Sequence, residues 1–139
     1  MLERFDNLGI DCHTFNAAAW NKNEALRFYS NSGRAGSAVK GAQTKYKDIS
    51  AIRADSVIDT EIGFIKIDAE GSDLQVIEGL SGIIEKHRPV IKVAAYHRNE
   101  DFFALPEKML ELAKKYKLYM RHLKYVPGWD TDFIFDLSK

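Results

Sequence analysis

The chain has 139 residues, 45% of them hydrophobic and 29% charged, with 20 Lys plus Arg set against 20 Asp plus Glu. That balance suits one globular domain, argues against intrinsic disorder, and leaves no basic excess with which to hold a nucleic acid. Cys12 is the one cysteine, no apolar run approaches the ~18 residues of a membrane span, and Met1 to Asp6 lacks a signal-type apolar core, so a cytoplasmic protein that neither forms an internal disulfide nor enters a membrane is expected.

In chain order, Asp11 to Ala19 reads as a short strand ending in a corner of small residues. Glu24 to Ser30 alternates Ala25, Arg27 and Tyr29 with Leu26 and Phe28, which predicts a strand half buried on one face. Asn31 to Gly41, with Gly33, Gly36, Gly41, Ser32 and Ser37, reads as a loop. Ile49 to Asp59 predicts an edge strand carrying Ile52, Val57 and Ile58. The run Ile62 to Asp68 is densely apolar and meets Glu70-Gly71 without a break. A helix follows, with Ser72 as cap and Gln75 completing a capping box, and Leu74, Ile77, Leu80 and Ile84 on its buried face. Gly79 and Gly82 weaken its middle, so two short helices meeting near Leu80 are expected. His87-Arg88-Pro89 ends it.

Val90 to Tyr96 predicts the next strand. Helix returns by Pro106, read as a first-turn proline, with Met109, Leu112, Ala113 and Tyr116 on the buried stripe. Leu118 to Leu123 and Asp132 to Leu137 close the chain as an antiparallel hairpin, with Lys124 to Asp130 as the link and Trp129 and Tyr125 either lining a pocket or, the favoured reading, plugging the sheet edge. Two strands buried on both faces and joined by a helix predict a parallel pair with a right-handed crossover. The fold class is therefore α/β.

In open parallel sheets ligands sit beyond the carboxyl ends of the strands, and Asp68 and His97 fall at such ends. An ionised Asp68 at the end of an apolar strand costs free energy unless it is paired. Asp68 or Glu70 can accept hydrogen bonds from a ligand, help hold a cation, or act as a base. Glu70 has a plainer alternative, that of stabilising the positive end of the following helix. His97 can face Asp68 across the crevice and deprotonate a hydroxyl near neutral pH. His13, His87 and His122 read as scaffold or surface. Asp68, Glu70 and His97 also form a generic divalent-metal set, but no histidine pair has zinc spacing, and no metal is assigned. No Gly-x-Ser-x-Gly turn, G-x-G-x-x-G or P-loop is present.

The run Phe64-Ile65-Lys66-Ile67-Asp68-Ala69-Glu70-Gly71, then Gly79, His87-Arg88-Pro89 and the strand end Tyr96-His97, resembles the FkbM-type family of S-adenosylmethionine-dependent methyltransferases. The resemblance spans about residues 10 to 137 and is most specific over 62 to 97. It implies a Rossmann-like sheet, mostly parallel with a C-terminal antiparallel hairpin. It also implies S-adenosylmethionine as cofactor and transfer of its methyl to a hydroxyl of a sugar or other small-molecule or glycan acceptor. By the same resemblance Asn16, Ala17 and Ala18 lie near the adenine and Asp68 near the cofactor's methionine end, while Glu70 and His97 face the acceptor, His97 being the candidate base.

One departure from the family pattern stands out. The glycine-rich first strand, its helix and the second strand with its acid are not found before Phe5, so residues 1–139 read as one N-terminally truncated domain. Between Asp11–Ala18 and Ile62–Asp68 this predicts either a gap of about 14 Å, three strand spacings, or a re-paired sheet. Poor cofactor affinity is expected. The alternative is a non-catalytic Rossmann-like binding module that has lost the cofactor site.

Overall fold

A computed structural model describes Gly9 and residues 11–30, 36–37, 46–122 and 131–137. Its elements, in order, are β1 (Ala18–Ala19), β2 (Glu24–Ser30), β3 (Gly36–Ser37), β4 (Tyr46–Ile52), a 3-10 turn (Ala54–Ser56), β5 (Phe64–Ile67), α1 (Asp73–Gly79), α2 (Ser81–His87), β6 (Val90–Ala94), α3 (Asp101–Leu112), β7 (Lys117–His122) and β8 (Thr131–Asp136). The strands form two four-stranded sheets, ordered β1-β4-β2-β3 and β5-β6-β8-β7.

The second sheet carries the core. Ile67 aligns with Val93, and Val93 with Phe133; Ile91 aligns with Phe135. Directly paired residues share a face, so these side chains form one apolar surface. Val76, Ile77, Ile83, Ile84, Leu105 and Met109 of the three helices pack onto it. Burial of this kind contributes roughly 25 cal/mol per Å² of apolar surface, which makes this layer the main support of the fold. The opposite face is not covered in the same way. Phe64 is 59% exposed and Lys66 is also exposed, so β5 is buried on one face rather than the two expected.

The parallel pair β5–β6 is as the sequence implied, and β1–β4 is parallel as well. The other four pairings among the described residues are antiparallel, including the β7–β8 hairpin. β1 pairs with β4 and not with β5, and β5 is an edge strand of its own sheet, so among the described residues no strand pairs across the interval expected between them.

Several local expectations are corrected. Residues 11–17 are not strand; only Ala18–Ala19 are. The strand expected over 49–59 runs Tyr46–Ile52 and is internal, between β1 and β2. It stops because the chain turns into the 3-10 segment, where the Arg53 guanidinium grips Asp55 at 2.6 Å and donates to the Asn21 carbonyl. The Asn31–Gly41 loop includes β3, and its remaining residues lie outside those described, as do Tyr125, Trp129 and the Lys124–Asp130 link. The two short helices meet at Leu80 as expected. Pro106 sits inside α3, five residues after its start, and not in its first turn.

Candidate functional site

The end of β5 turns sharply. The Ala69 carbonyl accepts the Ser72 amide at 3.0 Å, and the two central residues both have positive φ, Glu70 at 51° and Gly71 at 88°. That sign pattern belongs to a type I′ turn and is unusual for a glutamate. Ser72 makes no side-chain cap. The side chain that organises the corner is Asp73, fully buried, whose Oδ1 accepts the Ala69 amide at 3.0 Å and whose Oδ2 accepts the Gly71 amide at 3.1 Å. Arg98 lies across Gly71 so closely that a Cβ there would stand 2.9 Å from the Arg98 Nε. Gly71 is thus favoured by its φ, and a side chain there would also have to displace the flexible Arg98 side chain.

This turn delivers both acids to His97. Nε2 of His97 lies 3.0 Å from Asp68 Oδ1, and Nδ1 lies 3.6 Å from Glu70 Oε2. The His97 side chain is 9% exposed, against 39% for Asp68 and 59% for Glu70, so the imidazole is sheltered while its partners reach solvent. Tyr96 packs a tilted ring against His97, centroids 4.3 Å apart. The second Asp68 oxygen faces Lys66 Nζ at 3.6 Å. Asp68, Glu70 and His97 are therefore one cluster, as the strand-end argument anticipated. Among the described residues no group of three or more His, Cys, Asp or Glu side chains is arranged to hold a metal ion.

A cavity of about 360 Å³ opens beside the two acids, lined by Ala18, Ala19, Trp20, Phe28, Ile49, Asp68, Ala69, Glu70, Ser72 and Val76. Its size is at the lower end for a ligand pocket. One wall comes from the first sheet and the other from the β5 corner and α1. Ala18 is in this wall; Asn16 and Ala17 are not, and line a separate cleft with Phe15, Lys47, Asp48 and Ser50. His97 contacts the acids without lining the cavity. Sequence reasoning missed Trp20, Phe28, Ile49 and Asp73. The signal for Asp73 was its place two residues beyond the glycine of a turn, where a carboxylate can reach back to free amides.

The two walls are tied together by named contacts. Asn21 donates to Glu78 at 2.7 Å, Arg53 donates to Ser81 Oγ at 3.0 Å, and Asp55 accepts the Gly82 amide at 3.1 Å. Burial pushes the Asp55 carboxyl upward, but hydrogen bonds from Arg53 and Gly82 with the Arg53 charge outweigh it and hold it below the usual range. The other histidines are structural or exposed. Nδ1 of His87 accepts the Ile62 amide at 3.2 Å, His122 meets Thr131 at 2.9 Å, and His13 stands in solvent near Asp11.

The parallel β5–β6 unit, with helices packed on one face and an acidic corner at the strand end, belongs to an α/β fold of Rossmann-like class. Residues 7–127 match the methyltransferase FkbM domain, and the chain belongs to that family. The crystal structure of methyltransferase FkbM from Methylobacillus flagellatus KT is similar, with a TM-score of 0.72 and 26% identity. The likeness covers 96% of this chain but 31% of that one, so the chain spans about a third of the length of the solved relative. No curated protein matches. Among the described residues no helix is long and apolar enough to cross a membrane.

Proposed function

We propose that the Asp68–Glu70 cavity takes S-adenosylmethionine together with a hydroxyl acceptor, and that the chain carries the methyl-transfer site of an O-methyltransferase. The observation that carries this is the pairing of an apolar cavity with two carboxylates at one end. Those residues fit the cofactor's chemistry: Trp20, Phe28 and Ile49 offer apolar walls to a purine, and Asp68 and Glu70 offer negative charge to a sulfonium and an ammonium group. When bound, S-adenosylmethionine supplies an activated methyl, and the protein's part is alignment and removal of a proton.

For the proton, the geometry favours the Glu70 side of His97. With the Nε2 proton donated to Asp68, Nδ1 keeps its lone pair and faces Glu70. A hydroxyl entering between Glu70 and Nδ1 can hand its proton to the imidazole while Asp68 orients the ring and stabilises the imidazolium. Asp68 then serves His97 as well as the cofactor end, and Ala18 alone of the Asn16–Ala18 corner reaches the cavity. A sugar or other small polyol is the acceptor class this reading favours.

Calorimetry tests it. S-adenosylmethionine should bind more tightly than its neutral thioether product, S-adenosylhomocysteine, by about fivefold, the roughly 1 kcal/mol expected of unit charges several Å apart near solvent. Asp68→Asn should reduce that preference. No binding of either compound at millimolar concentration would overturn the reading. Binding without methyl transfer to any polyol would instead support a non-catalytic binding module, a reading favoured by the way the three polar side chains already satisfy one another.

A further inference from the structure

The acidic corner is strained, and the residue that holds it there lies outside the cavity. Glu70 is a non-glycine residue at φ 51°, a conformation that residues with a Cβ adopt rarely unless their surroundings impose it. The two amides that flank it, those of Ala69 and Gly71, both point at the carboxylate of Asp73. Asp73 is fully buried at the start of α1, so its own position is fixed by the helix. Charge-assisted bonds to two amides are roughly twice as strong as neutral ones, enough to hold a turn of this kind. Arg98 also packs its side chain against Gly71.

A relaxed Glu70, with negative φ, would send its side chain in a different direction from the one that now brings Oε2 to 3.6 Å from His97 Nδ1. We infer that Asp73 is a positioning residue: by bridging the Ala69 and Gly71 amides it holds Glu70 in the left-handed conformation and thereby sets the Asp68–His97–Glu70 row. This rests on reading that row as the proton-handling part of the site, but the structural coupling is measurable without turnover.

The test is NMR on the whole chain. Asp73→Asn keeps the shape of the side chain but leaves one acceptor oxygen for two amides. The expected result is a chain that stays folded, with the Gly71 amide exchanging about tenfold faster. The His97 ring signals should move to where Glu70→Gln places them. If the His97 signals and their titration stay as in the parent, Asp73 is merely structural and the inference is overturned. Should Asp73→Asn not fold, Glu70→Gly supplies the second arm. Glycine needs no help at positive φ, so the Asp73→Asn, Glu70→Gly double variant should recover stability relative to Asp73→Asn alone. No recovery would sink the idea. Failure to bind S-adenosylmethionine would count against the proposed function and leave this result standing.

Discussion

Asp101 opens the first turn of α3 at 4% exposure, and its Oδ2 has no hydrogen-bond partner among the described residues. Burial first, then the negative charge of Asp73, push its carboxyl above the usual range, against the opposing pull of Arg98 and His97. A carboxyl whose folded value is raised binds its proton more tightly in the native state than in the unfolded chain. Its contribution to stability is therefore complete below the ordinary value near 3.8 and is lost as pH rises through the raised one. Asp101→Asn should flatten the dependence of Tm on pH across that window and leave the variant the more stable form at neutral pH. Melting curves at a series of pH values check this, and a profile that keeps the parent's slope would refute it. At this scale the sequence was partly legible. Asp68, Glu70 and His97 stand out because they interrupt apolar strand ends. Asp73 and Asp101 did not, because an acid at a helix start looks solvated until tertiary packing buries it.

The helix pair after β5 shows both what pattern can reach and where it stops. Gly79 and Gly82 correctly marked the break at Leu80, since glycine weakens a helix. The reason Gly79 is glycine is not local, however. A Cβ there would stand 1.9 Å from the Trp20 carbonyl oxygen, where the first sheet leans on α1. In an exposed helix, Gly→Ala gains up to about 1 kcal/mol; here the sign should reverse, with a loss of about 1–3 kcal/mol from forcing backbone apart. A lowered denaturation midpoint for Gly79→Ala would bear this out, and an unchanged or raised one would show that the two layers do not touch. The strand misread over 49–59 has a similar origin. Apolar Val57 and Ile58 continue the pattern of Ile49 and Ile52, while the Arg53–Asp55 grip that turns the chain is invisible to periodicity. Pro106 inside α3 is a third case: tertiary packing of Leu105 and Met109, both fully buried, outweighs one missing helix bond.

Over the whole molecule the cavity is the consequence of two sheets meeting. Ala18, Trp20, Phe28 and Ile49 come from the first, Asp68 to Glu70 and Val76 from the second layer and its helix. Among the described residues the layers are joined by the polar contacts Asn21 to Glu78, Arg53 to Ser81 and Asp55 to the Gly82 amide, with Ala54 and Ile58 packed against the core and the Trp20 carbonyl set against Gly79. Polar contacts of this kind contribute about 1 kcal/mol each, far less than the apolar core beneath β5 and β6. The first sheet should therefore open at lower free energy than the second, and amide exchange in β2 and β4 should be faster than in β6 and β8. A ligand seated between the layers binds only when both are in place, so it stabilises the weaker one by mass action. At a hundredfold excess over its Kd, S-adenosylmethionine should slow exchange in β4 by up to about a hundredfold, while β6 and β8 change little. Protection confined to the β5 corner would mean that the first sheet is no wall of the site. Protection in β4 that disappears in Arg53→Ala would show that the Arg53–Ser81 and Asp55–Gly82 contacts, rather than the cavity surface alone, join the two layers.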